Sequence, residues 1–410
     1  MAKISPFRAI RPTRDKVHLV ATRPFYSYKK NVLDAKLEDN CFSFLHIINP
    51  EFGSEQITKP NSTERFELIA RRYSEFLDDG VLIQEKVPSL YIYRQTKNGD
   101  SFLGLICGAS VDEYNQGHIK KHEATITSRE ELFTKYLNIV GYNAEPVLLS
   151  HSSSPKIDEL FLKCTTNRPE YEFTTTDLIT HELWTLDSDD CESFQEAFEQ
   201  IPDLYIADGH HRSASSAGLF NLREATNSAH LNERYFLAYL IDDKQLKILE
   251  FNRLVRTLNN QSVPEVLNKL AEKFTISEIP KAKKPSEEHE FTMFLNRKWY
   301  LLIFNESLIN HEHPVKSLDA EILTEHILSP ILGIKDLKSD ENIDFISGAE
   351  SINLLEDKVN SGAYEIGFVL FPMSMEQVKK VADNNMIMPP KSTWVEPKLR
   401  SGITIYNINE

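Results

Sequence analysis

Five consecutive residues, Asp208-Gly209-His210-His211-Arg212, place a carboxylate, a glycine, two imidazoles and a guanidinium within one turn of chain. LYIA (204–207) before them reads as a short buried strand, and HHRSASSAGLF after them as a helix rich in small residues. A strand, a glycine turn and a helix start leave the first amide N–H groups of the helix unpaired, and the helix dipole favours negative charge there. Gly209 permits close approach of the backbone to a ligand. Arg212 adds a planar, permanently charged fork that suits phosphate. His210 and His211 can donate to phosphate oxygens or move protons near neutral pH. Asp208 can orient a histidine, hold Mg²⁺ or accept a substrate proton. The expectation is a site for a phosphate-bearing ligand. A plain structural turn with Asp208 as helix cap is the competing reading, and a zinc site is less suited because adjacent histidines diverge on a helix.

Phosphoryl transfer to an alcohol also needs a carboxylate near the attacking oxygen. Glu123, in Lys120-Lys121-His122-Glu123, is the first candidate and Asp208 the second, with His210 as a further proton carrier. Lys391 follows the rigid pair Pro389-Pro390 and is a candidate phosphate contact, as is Lys398. The hydroxyls Ser392-Thr393 follow Lys391, but the glycines of a phosphate loop are missing. Glu123 can equally belong to an exposed charged loop, and the Pro-Pro turn to a structural crossover. His311-Glu312-His313 reads as a solvated turn, and Asp242-Asp243 as a hairpin turn.

These residues need elements to position them. Expected strands are 42–48, 90–95, 102–111, 146–150, 204–207, 234–241, 246–251, 274–279, 299–304 and 366–371, all rich in Val, Ile, Tyr and Phe. Expected helices start near Thr63, with that residue as candidate cap, and at Ser128, with Glu131 completing a capping box. Two more cover 187–201 and 317–328. Strands and helices mix without a steady βαβ rhythm, which predicts an α+β (mixed α/β) fold. A larger region is expected over 1–255 and a smaller C-terminal α/β region over 256–410, with the charged segment 280–289 as a loop tip.

The 410 residues carry a formal net charge of -15, which opposes general affinity for nucleic acid. The first thirty residues are locally basic, with Arg8, Arg11, Arg14 and Arg23 among them; they could line an anion site or form a solvated arm. Cys41, Cys107, Cys164 and Cys191 form no CxxC motif, so neither structural disulfides nor a cysteine zinc site are expected. No apolar run approaches a membrane span and the N-terminus has no signal-like core, so a cytoplasmic protein without membrane contact is expected.

ADGHHR (207–212) resembles the signature of the ParB/sulfiredoxin-like fold, and is especially similar to its form in free-serine kinases. That resemblance implies that Asp208, Gly209, His210, His211 and Arg212 line a nucleotide and phosphate site. Sulfiredoxins carry a cysteine in the motif, and this chain has none nearby. Four segments in order, PFRAIRP (6–12), GHIKKHEATI (117–126), YIADGHHRSA (205–214) and MPPKSTWVEPKLRSGI (388–403), resemble the DUF1015 family over nearly the whole chain. Where that family more often shows Pro-Pro-Tyr-Asp, this sequence has Pro24-Phe25-Tyr26-Ser27. The combined expectation is a ParB/sulfiredoxin-like core acting as a small-molecule kinase. Its hydroxyl substrate would be a molecule such as L-serine, its donor a nucleotide or pyrophosphate, with Mg²⁺ between the phosphates. The alternatives are a non-catalytic nucleotide-binding module and a metal-dependent phosphodiesterase.

Overall fold

The computed structural model describes residues 2–55 and 57–410 and has a mixed α/β architecture. The chain divides into two compact units. The first comprises 1–121, 125–246 and 397–410, and the second 122–124 and 247–396. The break thus falls at Leu246/Lys247 rather than at the expected 255/256. The last fourteen residues also return to the first unit, a feature that no composition shift announces.

Among the described residues, nine strands of the first unit form one sheet. In chain order they are β1 (Ile4–Ser5), β2 (Tyr91–Lys97), β3 (Asp100–Ser110), β4 (Ile119–Lys120), β5 (Val147–His151), β6 (Tyr171–Thr174), β7 (Thr180–Thr185), β8 (Leu204–Asp208) and β9 (Tyr235–Asp242). Their spatial order is β4-β8-β5-β9-β3-β2-β7-β6, with β1 pairing β3. Most pairs are antiparallel; β8 with β4 and β9 with β5 are parallel. β5 and β9 are almost wholly buried, which explains why PVLLS and RYFLAYLI read as continuous apolar runs. Ile92, Leu105, Leu149, Ile206 and Leu240 of the sheet pack with Phe161, Phe194 and Phe220 from helices.

Three helices of this unit frame the turn at residue 209. α1 spans Thr63–Asp78, α2 Thr127–Val140 and α3 His210–Glu224. Two expected caps are corrected. Ser62, not Thr63, accepts from the Arg65 amide, and α2 starts at Thr127 after Ile126 without a side-chain cap. The expected strand 42–48 is instead the short helix Leu45–Ile48. It buries Leu45 and Ile47, and Phe42, Phe44 and Ile48 join Ile47 in the core beside α1. α3 buries Ser213, Ser215, Ser216 and Ala217, so α2 can approach closely: a Cβ at Gly218 would lie 2.9 Å from Thr134 Oγ1.

Among the described residues, one sheet of the second unit has six strands: β10 (Phe251–Val255), β11 (Phe274–Ile279), β12 (Glu290–Leu295), β13 (Lys298–Phe304), β14 (Ile343–Ser347) and β15 (Ile366–Val369). They form an antiparallel sheet in the order β11-β13-β12-β15-β10-β14. The segment 280–289 is the connection between β11 and β12. The expected strand 246–251 is two pieces, Lys247–Leu249 and the start of β10. Residues 317–328 form a short α-helix, Asp319–Leu323, continued by a π turn. Asp242 ends β9 and caps a 3-10 turn by accepting from the Lys244 amide; β9 does not pair with the strand that follows, so there is no hairpin.

Candidate functional site

β8 ends at Asp208, after a register shift between Ile206 and Asp208 in its pairing with β5. Such a bulge re-aims the residues at the end of a strand. Gly209 then caps α3 with φ 105° and ψ 27°. That conformation suits glycine alone, and the turn is crowded as well. A Cβ at Gly209 would sit 2.9 Å from both Nε and Nη2 of Arg212. The guanidinium therefore folds back over the turn, in space that only a glycine leaves open. Asp208 is not the cap, so the structural-turn reading fails in that detail.

Arg212 binds two carboxylates. Its Nη1 donates to Glu145 Oε2 at 3.1 Å and its Nη2 to Asp208 Oδ2 at 3.4 Å. Its Nε is buried and meets no hydrogen-bond acceptor among the described residues. Burial opposes the charge of Arg212, but Asp208 and Glu145 outweigh it and hold its pKa above the ordinary value. Lys398 Nζ lies 3.7 Å from Asp208 Oδ2, and Ser401 Oγ donates to Glu145 Oε1 at 2.8 Å. Two cations and two carboxylates thus converge at the start of a 15-residue helix. His210 is buried and His211 half-buried on the first turn of that helix.

The C-terminal segment supplies Lys398 and Ser401, and the first unit grips it firmly. Arg400 is almost fully buried. Its Nη2 donates to both oxygens of Asp177 at 2.7 Å and to Thr175 Oγ1 at 3.1 Å. Its Nε donates to His181 Nε2 at 3.3 Å. Burial, reinforced by the Arg400 charge, lowers the His181 pKa to about 3. The ring is therefore neutral, its proton is on Nδ1, and it donates to the Tyr93 hydroxyl at 2.7 Å. Asp177, despite burial, is held down to about 2 by Arg400 and Thr175. Further along, Tyr406–Asn407 pairs with Tyr142–Asn143, and Gly402 N donates to Ala144 O. These bonds fix the backbone on both sides of the Glu145–Ser401 contact.

A cavity of about 560 Å³ opens beside Arg212 and Glu145. Its walls come from α1, α2, residues 142–145 and the short segment around Phe25. Tyr26 is within electrostatic reach of Arg212. Ser27 does not replace the aspartate of the related pattern: its hydroxyl donates to Pro24 O at 2.7 Å.

The structure brings Asp208, Gly209, His210, His211 and Arg212 together in the first unit. Glu123 and Lys391 belong to the second. Glu123 is exposed, next to His122, whose carbonyl accepts from the Met388 amide. Lys391 is also exposed, with φ 57° and its Nζ 5.3 Å from the Phe251 ring centre. Glu145 and Ser401 were not expected from the sequence. A lone Glu before Pro146, and a serine many residues away, carry no local signal. In the basic start, Arg8 pairs with Glu410, and Arg11 and Arg14 pair with Glu170. His311 pairs with Glu306 at 3.0 Å on an exposed turn. Among the described residues, no group of three or more His, Cys, Asp or Glu is placed to hold a metal by itself. No described helix is long and apolar enough to cross a membrane.

Fold and site define a mixed α/β protein with paired cations and carboxylates at a glycine-opened helix start. Residues 4–321 match the family described as protein of unknown function (DUF1015), and the chain belongs to that family. The match stops short of Lys398, Arg400 and Ser401. No curated protein matches the chain. Among solved structures it is similar to a free serine kinase in complex with AMP, at 15% identity over 73% of this chain and 91% of that one, with a TM-score of 0.35. It is also similar to a conserved hypothetical protein from Pyrococcus furiosus, at 15% identity over 74% and 95%, with a TM-score of 0.34. A third is SbnI with C-terminal truncation from Staphylococcus aureus, at 10% identity over 73% and 87%, with a TM-score of 0.39. Overlap at this level is coarse and says nothing of a ligand.

Proposed function

We propose that the first unit binds a phosphate-bearing donor at Gly209–Arg212 and transfers a phosphoryl group to the hydroxyl of a small molecule. The observation that carries this reading is the Arg212 guanidinium, folded over the Gly209 turn with a spare Nε–H and with Lys398 alongside. An incoming phosphate takes up the helix amides and exchanges for the carboxylates on the two cations. Arg212 and Lys398 then neutralise the charge that spreads over the transferring oxygens. His210 and His211, on the first turn of α3, add donors to the phosphate or move its protons.

Asp208 and Glu145 are the carboxylates at hand to take the proton of the hydroxyl. Glu145 is the better placed, because Ser401 still holds one of its oxygens once the phosphate has taken Arg212 from the other. Mg²⁺ commonly uses one or two carboxylates together with substrate phosphates, and Asp208 fits that role. When bound, the ion would supply further charge neutralisation on those phosphates. This mechanism draws on residues of the first unit alone.

The test is phosphorus NMR of the protein with Mg²⁺ and ATP, ADP or pyrophosphate, with L-serine and then with other small alcohols. Consumption of one donor and growth of a phosphomonoester signal are expected, abolished by Arg212→Ala. A donor that binds at this turn without being consumed makes the protein a nucleotide-binding module. No binding at all sinks the phosphate reading.

A further inference from the structure

We infer that the ligand of this site carries an aromatic ring, and that the ring lodges in the cavity beside Arg212 and Glu145. This deepens the phosphate reading and rests on it for the polar end of the ligand only. The cavity, about 560 Å³, falls within the roughly 300–1,000 Å³ of sites that enclose whole organic ligands. It is far larger than a serine molecule requires. Phe25, Phe44, Phe66, Phe133, Tyr136 and Tyr142 supply its aromatic surface. Phe66 and Tyr136 are locked edge to face at 5.2 Å, so that wall is preformed. Phe25 and Phe133 remain 44% and 43% exposed, which leaves two rings partly open to solvent at the cavity.

The charges in the wall are confined. Arg65 is tied to Glu51, which leaves Arg212 and Glu145 as the polar end. A ligand that fits this distribution has a flat apolar body and a phosphate or hydroxyl at one end. Such a ring has two sources: the base of a nucleotide donor, or the body of an aromatic alcohol that receives the phosphoryl group.

Calorimetric titration of the full chain with AMP, phenyl phosphate and ribose 5-phosphate separates these cases. At least one ring-bearing phosphate is expected to bind tenfold or more tighter than ribose 5-phosphate. Preference for AMP assigns the ring to a donor base, and preference for phenyl phosphate to the acceptor. Phe25→Ala and Phe133→Ala alter exposed side chains, so the fold tolerates them. Each is expected to remove most of the ring preference while leaving ribose 5-phosphate affinity unchanged. Equal binding of ringed and ringless phosphates overturns the inference, as does an equal loss for both in the variants. Binding of adenosine or phenol without any response to phosphate keeps the ring cavity and refutes the phosphate site instead. Failure of every probe refutes both.

Discussion

Gly209→Ala tests the geometry of the turn directly. The alanine would have to adopt φ 105°, a region that L side chains avoid, at a cost of about 1–3 kcal/mol. Its Cβ would also come within 2.9 Å of Nε and Nη2 of Arg212. The guanidinium is the far end of a long side chain and can swing away, so the clash is relieved by giving up its place over the turn. Losing a charge-assisted hydrogen bond to phosphate costs about 1.5–3 kcal/mol, or roughly a tenfold to hundredfold weakening. Thermal unfolding and titration with pyrophosphate read the two effects separately. Arg212→Ala alone should weaken binding as much as Gly209→Ala but leave the backbone unstrained. The double variant should therefore bind no worse than either single one, because both remove the same contact. A Gly209→Ala protein with full stability and full pyrophosphate affinity would refute the account of the turn.

Glu145→Gln removes a carboxylate from Arg212 and should raise pyrophosphate affinity severalfold while lowering turnover by about a hundredfold or more; Glu123→Gln should change neither, and a reversed pattern would transfer the proton acceptor's role to Glu123. Lys398→Gln should weaken phosphate binding and flatten its dependence on salt, with little change in melting temperature, as its side chain is partly exposed. Acid should destabilise the first unit in a defined window. His181 has its pKa lowered from 6.5 to about 3, so the unfolded chain binds an extra proton between those values and stability falls as pH drops through them. Asp177, lowered from 3.8 to about 2, adds a further loss from 3.8 downward. Stability measured from pH 7 to 4 should fall less steeply in His181→Gln than in the parent, and equal slopes would refute the neutral assignment of His181.

The core strands were legible because Val, Ile, Tyr and Phe cluster in them; 274–279 coincides with β11 residue for residue. The turn at Gly209 was legible because Gly, two His and Arg in succession have few other uses. What surrounds it was not. Glu145, Ser401 and the Arg400 anchor meet the turn only through long-range pairing, which leaves no periodic trace. The segment 42–48 misled because five apolar residues in seven satisfy a strand count, whereas its second half folds as a short helix. Glu123 and Lys391 looked reactive by residue type, yet belong to the other unit. Adjacent charge in sequence does not report which body of the fold a side chain joins.

The route of the chain has a consequence for biosynthesis. The first unit leaves off at Leu246, yet its Asp208–Arg212 turn lacks Lys398 and Ser401 until residues 397–410 arrive. Some 150 residues of another unit are translated in between. The second unit in turn takes residues 122–124 from the middle of the first. A nascent chain halted anywhere within 247–396 thus presents the Asp208–Arg212 turn without its closing segment, and Glu145 without its serine. On the proposed reading, a product truncated in that stretch keeps Arg212 and the helix amides but lacks Lys398, and should hold the ligand more weakly than the finished protein.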